Sequence, residues 1–234
     1  MHPQLTLSLG MTPATTFGTY HVDQGNRLCV QALTALVHGS IDDKQLYLWG
    51  ETGAGKTHLL SAACQESSAL GYRIAYIPGE LANSSSALQG LEQCSLVCID
   101  DLQRLDHAAE VDLFHCINRC HESNTKLLFA ADRGADELGL NLKDLKTRLS
   151  WGLNFQLPIL SDEALMGALK DELEARSLAA SDDVLAYVMK RFPRRIDSLK
   201  HFVDRLDSAS LTEQRRITIP FVKEVFGDAS TFLA

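Results

Sequence analysis

Gly50-Glu51-Thr52-Gly53-Ala54-Gly55-Lys56-Thr57, entered from the apolar run Gln45-Leu46-Tyr47-Leu48-Trp49, decides how the rest of the chain is read. It matches the phosphate-binding loop pattern G-x-x-x-x-G-K-[ST] at every fixed position. Glycines let backbone N–H groups wrap a phosphate, the lysine brings charge to its outer oxygens, and the hydroxyl is a Mg2+ ligand. The context suits this use. A strand precedes the loop and a helix over about 55–69 follows, so the helix N-terminus also faces the anion. Gly50, Thr52, Gly53, Ala54, Gly55, Lys56, Thr57 and the adjoining His58 are the candidate nucleotide contacts.

Downstream, Ser95-Leu96-Val97-Cys98-Ile99 is an apolar strand running into Asp100 and Asp101. A carboxylate at such a strand end can sit beside Mg2+, so Asp100 joins Thr57 as a metal ligand and Asp101 can orient an attacking water. Adjacent acids after a strand also occur as plain turn residues. One strand later, Phe129-Ala130-Ala131 ends in Asp132, which is expected near the outer phosphate and the water; an N-cap is the simpler reading of it.

Strand patterns at Gln45–Trp49, Arg73–Ile77, Ser95–Ile99, Lys126–Ala131 and Leu153–Leu157 alternate with helical ones. Alternation of this kind requires crossover connections, hence an α/β fold with a parallel five-stranded sheet covered on both faces. Leu28, Leu33, Leu36 and Val37 mark the inner face of a first helix; Leu59, Leu60, Ala63 and Leu70 mark the next; Val111, Leu113, Phe114 and Ile117 mark a third. After Pro158 strand patterns stop. Ser161 opens a series of amphipathic helices marked by Leu165/Leu169/Leu173, Val184/Val188/Phe192, Ile196/Leu199/Val203 and Phe221/Val225. A small all-helical domain over 161–234 therefore follows an α/β domain over 16–160, behind a flexible leader at 1–15 within an aperiodic first 25 residues.

The 234 residues carry a formal net charge of −8, which argues against broad phosphate-backbone binding of nucleic acid. Basic residues gather between Lys190 and Arg216, where a nucleotide phosphate, an acidic partner or only solvent could face them. No apolar run approaches membrane-spanning length and no secretory signal opens the chain, so no membrane contact and a cytoplasmic location are expected. The six cysteines lie in apolar, periodic segments and are expected to be reduced and buried; Cys116 and Cys120 share a helix face without a second ligand pair at zinc spacing.

With these motifs in place, the chain resembles the AAA+ module of the bacterial replication initiator DnaA from Thr16 to Gly227. The resemblance rests on the phosphate loop, Asp100-Asp101-Leu102-Gln103, Asp132, Leu145-Lys146-Thr147-Arg148-Leu149-Ser150-Trp151-Gly152 and Phe192-Pro193-Arg194-Arg195-Ile196-Asp197. It implies a helical lid, ADP or ATP with Mg2+ as cofactor, Tyr20 and Val22 at the adenine pocket, and Arg194 as a lid residue reaching the nucleotide. It also implies Arg148 as an arginine finger that acts on a neighbouring subunit, with a homo-oligomer left open. The sequence stops at Ala234, where the initiators continue into a DNA-binding domain. Only a short Ser-rich stretch fills 78–94, where they carry helices used on single-stranded origin DNA. The leader Gln4-Leu5-Thr6-Leu7-Ser8-Leu9 looks like a sliding-clamp-binding peptide, with Gln4 first and Leu5, Leu7 and Leu9 as apolar anchors. Together these features imply a clamp-bound regulator that makes DnaA hydrolyse its ATP and meets DNA mainly through the clamp. A free-standing AAA+ ATPase that loads a helicase or remodels a replication protein is the alternative. Whether the chain's own ATPase turns over stays open at this point.

Overall fold

The computed structural model describes residues 15–84, 86–193, 195–213 and 217–227, the side chains of residue 197 and of 210–213 excepted. Contacts divide the chain into two compact units, Met1–Pro158 and Ile159–Ala234.

In the first unit, α1 (Arg27–His38), β1 (Gln45–Trp49), α2 (Lys56–Ala69), β2 (Ile74–Pro78), a one-turn α3 (Gly79–Ala82), β3 (Leu96–Asp100), α4 (His107–Glu122), β4 (Lys126–Ala131), α5 (Lys143–Leu149) and β5 (Leu153–Gln156) follow one another. The strands form one parallel sheet in the order β2-β3-β4-β1-β5. Successive side chains of a strand point to opposite faces, and here both faces are buried. Tyr47, Val97, Ile99, Leu127 and Phe129 pack under α4 and α5 with Leu113, Ile117, Leu145 and Leu149. Leu46, Leu48, Cys98, Leu128 and Ala130 pack under α1 and α2 with Leu33, Leu36, Leu59 and Cys64. This arrangement explains why β1, β3 and β4 read as continuous apolar runs rather than alternating ones. It also places β1, and the loop that leaves it, between β4 and β5.

Three apolar residues expected inside lie outside. Leu28 is 71% exposed, because the buried stripe of α1 is Cys29-Leu33-Leu36-Val37 and Leu28 falls one position off it. Val111 is off the stripe of α4 formed by Leu113, Cys116, Ile117 and Cys120; Leu70 stands beyond the last turn of α2 as its C-cap. Within the aperiodic first 25 residues, Phe17–Thr19 form a 3-10 turn capped by the Thr16 side chain. Strand β3 ends one residue later than the apolar run, so Asp100 belongs to it. Five cysteines are buried, but Cys94 is half-exposed. Burial pushes the Cys29 thiol up to about 12. Cys116 and Cys120 bring their sulfurs to 4.0 Å within the core. Among the described residues no group of three or more His, Cys, Asp or Glu is placed to hold a metal.

The second unit comprises α6 (Asp162–Ala175), α7 (Asp182–Arg191), α8 (Ile196–Glu213) and α9 (Ile219–Phe226). Ser161 caps α6 through Ala164 N at 3.2 Å, and Thr218 caps α9 with Pro220 in its first turn. Leu169, Val188, Phe202, Val203, Leu206 and Phe221 form its core. Among the described residues no helix is long and apolar enough to cross a membrane.

Candidate functional site

Strand β1 ends at Trp49, and Gly50 N donates to Ala131 O of β4, which starts the loop off the carboxyl edge of the sheet. Gly55 closes the loop at φ +87°, a left-handed conformation open to glycine, and α2 begins at the next residue. A Cβ on Gly55 would stand 2.7 Å from the Tyr20 ring. Tyr20 lies over the loop, its hydroxyl donating to Ala54 O at 3.3 Å and its ring 5.3 Å from that of His58. Burial raises the Tyr20 pKa, so its hydroxyl stays protonated. Val22, two residues on, is 42% exposed. Tyr20 is thus brought to the loop by the segment before α1 and packs on His58 of α2, and Val22 follows on the surface.

Lys56 is buried, and its ammonium donates to Gly50 O at 2.7 Å and Glu51 O at 2.9 Å. Desolvation lowers its pKa, while Asp100, Asp101 and Asp132 oppose that shift. The Lys56 ammonium, bonded only to neutral carbonyls, is the group that a phosphate would complement, and the nearby carboxylates are the groups that an accompanying Mg2+ would offset.

Asp100, 3% exposed, sits at the centre of a hydrogen-bond network. Its Oδ2 accepts from Thr57 Oγ1 and from the Tyr76 hydroxyl, each at 2.7 Å, and its Oδ1 accepts from Asp101 N at 2.9 Å. Thr57 and Asp100 thus present two hard oxygen donors side by side. Mg2+ uses one or two such protein ligands and takes the rest from phosphate and water, so the donor set fits that ion.

Asp101 adopts φ +54° and turns its carboxylate to Gln103 Nε2 at 2.8 Å and toward Arg104 at 3.8 Å. Asp132 follows β4, between the acid-bearing β3 and the loop-bearing β1. A two-pronged pair with Arg133, at 3.0 and 2.9 Å, holds its carboxyl below the usual range. Its N–H donates to Gln103 Oε1 at 3.2 Å. One edge of the sheet thus gathers the loop residues from Gly50 to His58, Tyr20, Asp100, Asp101 and Asp132. Sequence reasoning missed Tyr76 and Arg133. Tyr76 is brought there by the parallel register that pairs it with Cys98, two residues before Asp100, which no sequence signal reveals; adjacency to Asp132 was the signal for Arg133.

Arg148 is not part of this group. It lies in the last turn of α5, whose C-terminus leads into the start of β5, and the Gln45 side chain, at the start of β1, donates to Arg148 O at 2.7 Å. Four residue steps of about 3.3 Å each separate Gln45 from Trp49 along β1, so Arg148 stands about 13 Å down the sheet, at its opposite edge. Its guanidinium lies 3.9 Å from the Trp151 ring centroid and 5.8 Å from that of Phe114. Gln4, Leu5, Leu7, Leu9 and Arg194 lie outside the described residues.

The family profile of the bacterial DnaA ATPase domain matches residues 11–156, and that of the Hda lid domain matches residues 162–226. Domain III from the Thermotoga maritima replication initiation protein DnaA shares 21% identity at a TM-score of 0.77, over 95% of this chain and 99% of that one. AMPPCP-bound DnaA from Aquifex aeolicus gives 19% and 0.74, over 87% and 70%. A RuvB variant from Thermotoga maritima gives 18% and 0.66, over 90% and 72%. At such identities these neighbours share the fold, a five-stranded parallel AAA+ core followed by a helical lid.

Proposed function

Because the chain belongs to the family of the bacterial DnaA ATPase domain, with a lid that matches that of Hda, we propose that it regulates replication initiation by making DnaA hydrolyse its bound ATP. The observation that carries this reading is the separation of Arg148 from the chain's own phosphate loop by the length of β1. An arginine at the far edge of the sheet cannot serve the nucleotide of its own subunit. That separation supports a role toward the nucleotide of a neighbouring subunit.

ADP or ATP occupies the chain's own loop and sets its conformation. Lys56 supplies the counter-charge to the phosphates, Tyr20, Val22 and His58 flank the nucleoside, and the resemblance to DnaA assigns Arg194 to the nucleotide as well. When bound, Mg2+ neutralises phosphate charge, held by Thr57 and by Asp100. Asp101 and Asp132 orient water at that edge. Across the interface, Arg148 presents its guanidinium to the outer phosphate of ATP held by DnaA. Charge spreads onto the oxygens of that phosphoryl group in the transition state, and an arginine supplied in trans accelerates such reactions by about 10³–10⁵.

Gln4, Leu5, Leu7 and Leu9 hold the chain to the DNA-loaded sliding clamp as an extended peptide whose alternate side chains enter an apolar cleft. Regulation is thereby coupled to ongoing synthesis, and contact with DNA runs mainly through the clamp. The test is reconstitution: the protein, the loaded clamp and ATP-bound DnaA are mixed, and phosphate release is measured. Hydrolysis that requires all three components is the expected result. Hydrolysis by the chain alone, unaffected by clamp or DnaA, would replace this reading with that of a free-standing ATPase such as a helicase loader.

A further inference from the structure

We propose that Gln45 is a positioning residue for the arginine finger, aiming Arg148 through a hydrogen-bonded clamp at the far edge of the sheet. The inference rests on the reading of Arg148 given above. Gln45 is 1% exposed and opens β1. The two N–H groups of its amide are shared among three carbonyls at and just beyond the end of α5: Arg148 O at 2.7 Å, Leu149 O at 3.2 Å and Trp151 O at 2.9 Å. Leu149 O is among the last helix carbonyls, which lack intrahelical donors; Arg148 O also accepts from Trp151 N at 3.2 Å, and Trp151 O lies just past the helix. A side chain from another element gathers them, and so fixes how α5 ends.

The other half of the amide completes the clamp. Gln45 Oε1 lies 3.1 Å from His121 Nε2. The Gln45 oxygen can only accept, so His121 donates through Nε2–H, which sets its tautomer. The His121 ring then packs edge-on against Trp151 at 5.6 Å, and the guanidinium of Arg148 lies over that same indole at 3.9 Å. Gln45, His121, Trp151 and Arg148 thus form a closed circuit in which each member is held by the next.

Gly152 supplies an independent sign that the chain is pressed onto Gln45. It sits at φ +72°, and a Cβ there would stand 2.2 Å from Gln45 O. Only glycine allows the Trp151-Gly152 turn to approach so closely. The circuit leaves Trp151 44% exposed and Arg148 itself partly exposed, so the stacked finger keeps access to solvent. A stacked arginine loses little additional freedom when it engages a phosphate. A misplacement of about 1 Å at such a group can cost about 10²-fold in rate.

The experiment compares Gln45→Leu, of similar volume and without the amide, with Arg148→Ala and Thr125→Val in the stimulated hydrolysis of DnaA-bound ATP. Thr125 is a matched control: it is buried and bonds the carbonyls of Glu92 and Cys94, away from α5. Gln45→Leu should lower the maximal stimulated rate by on the order of 10-fold, leave the half-saturating DnaA concentration within about two-fold, and keep its own nucleotide affinity. Thr125→Val should lose stability without loss of rate. If Gln45→Leu does not fold, His121→Phe, which keeps an aromatic ring and removes only the bond to Oε1, should lower the maximal rate by about three-fold, a partial misalignment. An unchanged maximal rate in the folded variant, or a loss in Thr125→Val equal to that in Gln45→Leu, overturns the positioning role. Full stimulation by Arg148→Ala would instead overturn the finger reading beneath it.

Discussion

Helix α5 is held at its start as firmly as at its end, and the start can be tested by stability alone. The Glu110 carboxylate of α4 is 2% exposed. Its Oε2 accepts from Asn141 N and Leu142 N, both at 2.8 Å, and its Oε1 accepts from Asn141 Nδ2 at 3.1 Å. In Glu110→Ala the Asn141 side chain, exposed at the surface, recovers a bond to water. The two backbone N–H groups do so poorly. Each donor left unsatisfied costs about 1–3 kcal/mol, so the pair predicts a loss of about 4 kcal/mol. Glu110→Gln keeps one oxygen for both backbone donors; it loses the charge that strengthens those bonds and the acceptor for Asn141 Nδ2, whose exposed side chain can turn to water, for about 1–2 kcal/mol. Both tryptophans, Trp49 and Trp151, lie in the α/β unit, so urea unfolding at pH 7 followed by their fluorescence reads the unit concerned. Equal losses below about 1 kcal/mol in the two variants would refute the clamp, because the backbone donors must then find other acceptors at no cost.

Lys56→Ala should remove detectable ADP and ATP binding by calorimetry while thermal unfolding stays cooperative, since the buried cation is the main counter-charge at the loop. His121 titrates below the ordinary histidine value because of burial and, secondarily, the Arg148 charge. The unfolded chain therefore binds the proton first as pH falls through about 6.5, and stability held above that pH is lost as pH falls on through the lowered folded pKa. Moving from pH 7.5 to 5.5 should lower the Tm of the parent protein more than that of His121→Phe; equal decreases would show that His121 does not contribute. Replacing Gln4, Leu5 and Leu7 together with alanine should abolish co-elution with the clamp and leave the Tm unchanged, and retained co-elution would remove the leader from the account.

Much of this fold could be read before any coordinate, because its signals are local. Eight consecutive residues carry the phosphate loop, and an apolar run into Asp100 carries its partner; neither depends on distant pairing. The phase of a helix is less legible. Leu28 and Val111 are apolar and near the buried stripes, and a shift of one residue turns each outward. The polar networks were not legible at all. Tyr76 reaches Asp100 across 24 residues, His121 reaches Gln45 across 76 and Gln45 reaches Arg148 across 103. Only the strand order and the parallel register bring such residues together, and one chain read in sequence contains neither. Arg148 was legible by resemblance alone; its distance from its own loop emerged only from the sheet.

The central claim is that Arg148 acts on a nucleotide it does not itself hold, and the rate of ATP hydrolysis on DnaA measures this directly. With clamp and DNA held constant, conversion of DnaA-bound ATP to ADP is followed with the parent protein, Arg148→Ala and Arg148→Lys. Arg148→Ala should keep its own nucleotide and its clamp contact yet lose the stimulation, because the guanidinium is needed when charge develops on the transferred phosphoryl group. Arg148→Lys should restore little of it, since an ammonium lacks the planar two-pronged fit to phosphate oxygens and stacks less well on Trp151. Full stimulation by Arg148→Ala would contradict the account and place the catalytic arginine elsewhere.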